Sequence, residues 1–160
     1  MMYMGTAVRS LRFAAVVAAG MALTACAQTK PDGLTNGVSP GTGQDFVVNV
    51  GDRIFFAEDQ STLSPEARST LDKQAQWLGR YNRYTVTIEG HADERGTREY
   101  NIALGARRAQ TVRDYLIARG VDSSRMRTIS YGKERPVAVC NDISCWSQNR
   151  RVVTVLNTGA

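Results

Sequence analysis

From Ser64 to Leu156 the apolar residues keep changing their spacing, and that alternation most constrains what the chain can build. Ala67, Leu71, Ala75 and Leu78 recur at intervals of four, four and three, which is one face of a helix. Ser64 offers an N-cap, Pro65 fills the first helical position and Glu66 supplies an acid in the first turn, so the helix begins there and ends near Gly79. Thr85-Val86-Thr87-Ile88-Glu89 switches to period two, a half-buried strand. The spacing then predicts a long helix from about Arg98 to Arg119 with Gly120 as its left-handed cap. Arg127–Gly132 and Arg151–Leu156 read as two more strands. Upstream, Phe46–Val50 reads as a short apolar or edge strand, and Gly51-Asp52 turns the chain into Arg53–Phe56, another strand candidate. Strands alternating with helices predict an α/β fold, here an α+β two-layer sandwich with helices on one face of a mixed sheet.

The chain's 160 residues suffice for one domain. Its 42% hydrophobic and 22% charged content excludes fibrous and wholly disordered classes, and three cysteines are too few for a disulfide-built scaffold. A net charge of +5 would suggest an anionic partner, but part of that charge belongs to an address segment. Arg9 and Arg12 precede an acid-free apolar run, Phe13 to Ala25. At 1.5 Å per residue such a run covers roughly 20 Å, short of the ~30 Å hydrocarbon core, so it reads as an export signal and not a span. The closing Leu23-Thr24-Ala25-Cys26 resembles a bacterial lipobox, which makes residues 1–25 a lipoprotein signal peptide and Cys26 the acylated first residue of the mature chain. An ordinary signal peptide cut near Ala25, leaving a free thiol, is the alternative. Ala27 in place of Asp implies delivery to the outer membrane. Removing residues 1–25 leaves 18 basic against 15 acidic residues. Residues 28–44 carry four glycines and two prolines with only Leu34 and Val38 apolar, so 26–44 reads as lipidated cysteine plus flexible tether and 45–160 as the folded domain.

The chemistry concentrates in Gly90-His91-Ala92-Asp93-Glu94-Arg95-Gly96-Thr97, a strand end running into a charged loop and then a helix N-terminus, where α/β proteins place ligand sites. Asn101 and Arg108 are seven residues apart, within about 20° of one another on the helix. Leu104 and Val112 flank Arg108 at four-residue spacing, so this arginine interrupts an apolar row and needs a partner. Two are open to it. Asp93 could form a structural salt bridge with it, or Arg108 could hold an external carboxylate while Asp93 accepts from an external ammonium, as a receptor for a zwitterionic amino-acid group requires.

The run from Gly90 to Ala109 closely resembles the OmpA C-terminal-like family, with its pattern D-x-x-G-x(4)-N-x-x-L-x-x-x-R-A. The resemblance reaches more weakly through Ile54–Leu63, Ser130–Lys133 and Asn149–Val152, covering about residues 45–157. With the lipobox and tether it points to the peptidoglycan-associated lipoproteins of that family, and implies a βαβαβ-β domain. It further implies a non-enzymatic protein of the outer membrane, facing the periplasm, that binds the diaminopimelate residue of peptidoglycan stem peptides. The implied partners are the outer membrane through the lipid and Tol-system proteins, notably TolB, in envelope integrity and cell division. No cofactor is implied beyond the covalent lipid on Cys26. In the family the aspartate and second arginine of the motif, here Asp93 and Arg108, hold the ligand's charged end. Thr97 and Asn101 are expected to shape the loop, and Phe56 and Ala57 to wall the pocket. Glu58 departs from the familiar pattern and puts that wall in question. The alternative is a lipoprotein that binds other proteins and whose Asp93 and Arg108 merely brace each other.

Other classes fit poorly. One histidine, His91, beside Asp93 and Glu94 makes no strong metal-ligand spacing and reads as a strand-end hydrogen-bonding residue. The adjacent Asp93 and Glu94 are awkwardly placed to flank a glycosidic bond, and no serine sits in a nucleophile elbow. Arg107, Arg108, Arg150 and Arg151 lack the aromatic platform that nucleic acid would need. Cys140 and Cys145 are expected to form a disulfide in an exported chain, with free thiols as the alternative, and Trp146 is expected to cover the core, with a partner contact as the alternative.

Overall fold

The computed structural model describes residues 37–158. The expected signal segment, Cys26 and most of the expected tether lie outside the described residues. A short helix α1 (Gly43–Asp45) continues as a π-helical turn, Phe46–Val50. Then follow β1 (Arg53–Phe55), α2 (Pro65–Arg80), β2 (Tyr84–His91), α3 (Arg98–Ala118), β3 (Met126–Gly132), α4 (Ile143–Asn149) and β4 (Arg151–Thr158). The sheet runs β1-β4-β2-β3, with β2 and β3 parallel and the other two pairings antiparallel, so it is mixed as expected. Helices α2 and α3 pack on each other and on the sheet. Leu71, Leu78, Val112 and Leu116 from the helices meet Ile54, Val86, Ile88 and Val152 from the strands in one core.

Two expected boundaries hold closely, the start of α2 and the end of α3. Ser64 caps α2 by accepting from the Ala67 amide at 3.1 Å, Pro65 opens the helix, and Gly120 follows α3 at φ +90°. The strand expected at Phe46–Val50 is instead helical. Thr42 accepts from the Asp45 amide, and the buried Asp45 carboxylate draws in the Gly41 amide, the Asn49 amide group and the Trp77 indole, each at 2.8 Å. That cap fixes the helical turn, and its four-residue spacing puts Phe46 and Val50 on the core while Val47 and Val48 face solvent. The fold also starts earlier than Asp45, because the Tyr84 hydroxyl donates to the Gly41 carbonyl at 2.9 Å. Helix α4 was unforeseen, and Asp142 caps it through the Ser144 amide at 2.7 Å.

One seam matters for the site. Gly105 of α3 lies directly on Gly90 of β2, so close that a Cβ on either would strike the other's backbone or Ser130. Ser130 Oγ donates to the Ile102 carbonyl at 2.7 Å across the same seam. Backbone-to-backbone packing here sets where Arg108, one turn further along, meets the end of β2.

Candidate functional site

The loop between β2 and α3 is fixed from several sides. Thr97 caps α3, its hydroxyl accepting from the Tyr100 amide at 3.2 Å. The buried Asn101 amide donates to the carbonyls of Arg95 at 2.6 Å and Thr97 at 3.0 Å. Lys133 Nζ donates to the Glu94 and Gly96 carbonyls, and Ala92 N–H to Gly132 at 2.8 Å. Thr97 and Asn101 thus shape the loop, and Asn101 also lines the cleft.

Asp93 is 7% exposed. Its Oδ1 accepts from Arg95 N and Nε, each at 3.2 Å, and its Oδ2 from Arg95 Nη2 at 2.7 Å and Arg150 Nη1 at 3.3 Å. Burial works to raise this carboxyl, but the bonds from Arg95 and Arg150 outweigh it and hold the group below the usual carboxylate range. Arg108 has no exposed surface, and the salt bridge to Asp93 that would make the pair a simple brace is absent among the described residues. Its guanidinium is held by three carbonyls, Nε to Gln60 at 2.7 Å, Nη1 to His91 at 2.9 Å and Nη2 to Ala57 at 3.1 Å, and it lies over the Phe56 ring at 5.1 Å. Desolvation first, and Arg150 second, lower its pKa to about 10 against the pull of Asp93 and Asp59. Of its five N–H groups, one on each terminal nitrogen has no partner among the described residues. The result is a buried cation lacking an anion beside a buried anion rich in cations.

Both line one cleft of about 260 Å³, together with Glu58, Asp59, Arg95, Tyr100 and Leu104. Phe56 and Ala57, expected to wall the pocket, do not line the cleft: they hold Arg108 through the Phe56 ring and the Ala57 carbonyl, and the wall on that side is Glu58 and Asp59. Asp59 adopts φ +53°, a backbone form few non-glycine residues take. Glu58 bonds to Arg95 at 2.6 Å, and the Tyr100 hydroxyl donates to Asp59.

Several residues here escaped the sequence reading. Arg95 and Arg150 are Asp93's partners, yet nothing in their spacing distinguished them from other arginines. Trp146, expected over the core, is half-buried at the rim: its indole donates to Glu94 at 3.1 Å and its ring carries the Arg95 guanidinium at 4.2 Å. His91, expected to hydrogen-bond through its ring, is 2% exposed; neither ring nitrogen has a hydrogen-bond partner among the described residues, Nε2 lying 3.9 Å from Glu89 Oε2, and its carbonyl serves the site. Desolvation, then Arg151 and Arg135, lower its pKa to about 4. Cys140 and Cys145 are joined in a disulfide at the base of α4, which carries Trp146 and leads into Arg150. Among the described residues, no group of three or more His, Cys, Asp or Glu could hold a metal, and no helix is long and apolar enough to cross a membrane.

A mixed four-stranded sheet backed by helices, with an aspartate after the second strand and an arginine on the following helix, defines an OmpA-like α/β domain. The OmpA family matches residues 55–150. The chain is 65% identical over 144 residues to the peptidoglycan-associated lipoprotein of Rhizobium meliloti, covering 85% of this chain and 82% of that one. It is 39% identical to that of Pseudomonas aeruginosa over 88% of this chain and 94% of the relative. The crystal structure of the peptidoglycan-associated lipoprotein from Burkholderia pseudomallei superposes with a TM-score of 0.65 at 39% identity, covering 66% of this chain and 90% of that one. The C-terminal domain of Helicobacter pylori MotB, at 22% identity and TM-score 0.63 over 68% of this chain and 86% of that one, shares the fold. The chain belongs to the OmpA family and, within it, to the peptidoglycan-associated lipoproteins.

Proposed function

We propose that this chain is an outer-membrane lipoprotein, anchored by acyl groups on Cys26, whose domain grips the diaminopimelate centre of peptidoglycan stem peptides without catalysing any reaction. The observation that carries this is the uneven pairing in the cleft: Arg108, fully buried, has two N–H groups that an external carboxylate reaches once the Arg95–Glu58 and Tyr100–Asp59 ties across the cleft part, and Asp93 can accept an external ammonium. A stem-peptide diaminopimelate centre presents an ammonium beside a carboxylate. A lysine side chain in its place lacks the carboxylate and would leave the Arg108 charge unmatched. The names of the relatives support peptidoglycan as the polymer. Tol-system proteins, TolB among them, are proposed as partners on the strength of the family resemblance.

Sedimentation with purified sacculi tests the reading. The detergent-solubilised chain should pellet with sacculi, and Asp93→Ala and Arg108→Ala should remain in the supernatant while keeping the wild-type circular dichroism spectrum. If both variants pellet as the wild type does, the cleft is not the wall-binding site, and the reading of this chain as a lipoprotein that binds other proteins takes its place. For the anchor, Cys26→Ser should abolish incorporation of labelled palmitate, and persistent labelling would refute the lipid assignment.

A further inference from the structure

The anionic end of the cleft is already filled by the chain's own side chain. Arg95 donates to both Asp93 oxygens and, through Nη1, to Glu58, so one guanidinium bridges the two walls. A second tie, from Tyr100 to Asp59, crosses the cleft beside it. Glu58 and Asp59 stand on the β1–α2 loop, whereas Arg95 and Tyr100 stand on the opposite wall.

Arg95 differs from Arg108, which also lines the cleft, and from Arg150, which shares Asp93 with it. Arg108 and Arg150 are buried and also held by backbone carbonyls, Arg150 by that of Phe56 at 3.1 Å. The Arg95 side chain is 34% exposed and that of its anchor Glu58 is 62% exposed. The exposed Arg95–Glu58 pair therefore holds weakly, on the order of two- to fivefold in an equilibrium, whereas the buried Asp93 needs a cation in place of Arg95 when it leaves. Arg95 can leave Asp93 when another cation takes its place, because Arg150 stays on the carboxylate and the Arg95 face already rests on Trp146.

We propose that Arg95 is a built-in competitor for the ammonium position at Asp93, parked there by Glu58 and Trp146, and that it sets the selectivity of the site by exchange. The inference rests on the zwitterion reading of the cleft given above. A ligand that brings only an ammonium replaces one cation at Asp93 by another and gains little. A ligand that also brings a carboxylate to the unfilled N–H groups of Arg108 gains a contact that Arg95 cannot supply. Exchange thus turns a site that would otherwise hold any amine into one that answers to the amine and carboxylate together.

The test is calorimetric titration of the full chain in detergent micelles with two probes, a diaminopimelate-containing muropeptide and the simple diamine cadaverine. Glu58→Gln, on an exposed side chain, should bind the muropeptide about two- to fivefold more tightly than wild type. Arg95→Ala should bind it about tenfold more tightly and acquire measurable affinity for cadaverine. In the wild type, the Arg95 Nε–H resonance should shift on adding muropeptide. Unchanged or weaker muropeptide binding by Glu58→Gln, with wild-type binding intact, overturns the exchange inference alone. Absence of muropeptide binding by the wild type and by both variants overturns the cleft reading and this inference together. Should Arg95→Ala fail to fold, Glu58→Gln alone decides.

Discussion

Two buried aspartates, Asp45 and Asp93, face the same problem and solve it with different donors. Asp45 gathers a backbone amide, a side-chain amide and an indole, all neutral. Asp93 gathers two guanidinium groups. Both carboxyls sit below their usual range, Asp45 chiefly through Asn49 and then Trp77 and Gly41, and Asp93 because Arg95 and Arg150 overcome the burial that would raise it. Neutral donors built into the chain fasten a helix to the core and offer nothing to exchange. Cationic donors, one of them exposed, leave an anion whose partner a foreign cation can replace. Charge in the donor set separates a structural carboxylate from a binding one.

The strongest way to break this comparison is at the Gly90–Gly105 seam, which supports Asp93's surroundings and not Asp45's. Gly105→Ala should push α3 off β2, cost about 3 kcal/mol of stability in urea titration and abolish sacculus binding. Next is the pH profile. Both aspartates have folded pKa values below 3.8, so each contributes stability present above that value and lost as acid carries pH down through the folded pKa. His91 has its folded pKa lowered from 6.5 to about 4, so the unfolded chain takes up the proton first and stability falls as pH drops through that window. The loss should reach roughly 2–3 kcal/mol by pH 4, and His91→Gln should flatten the curve. Asp45→Ala leaves the buried Trp77 indole unpaired and should cost about 2 kcal/mol while the folded fraction still binds sacculi normally. The smallest effect should follow Cys140→Ser with Cys145→Ser, about 1–2 kcal/mol by thermal melting. It should bring a modest loss of binding, because α4 carries Trp146 and leads into Arg150.

The periodic elements were legible because each obeys a rule of local spacing: α2 from Ser64-Pro65-Glu66, β2 from its alternation, α3 from its length and Gly120. Phe46–Val50 misled because a five-residue apolar run carries no period of its own, and a cap two turns wide decides it. The overlooked signal was Thr42-x-x-Asp45, an N-cap with an acid three residues on. Helix α4 is too short to show periodicity, though Asp142 before it was a readable cap. Asp93, Arg108, Thr97 and Asn101 stood out because the motif spacing brings them to one loop and one helix face. Arg150, fifty-seven residues from Asp93, reaches it only through the β4 register, and no local pattern encodes that. Arg95 was within the motif, but its role depends on where Glu58 and Trp146 arrive in space.

The cleft is read here as a receptor for an ammonium and a carboxylate together. Titrating the chain with a diaminopimelate stem peptide and with its lysine counterpart tests it most directly. The diaminopimelate peptide should bind about 100-fold more tightly, a preference that Arg108→Lys removes because a single ammonium cannot replace the fork. Equal affinity for the two peptides, or a preference that survives Arg108→Lys, would contradict it.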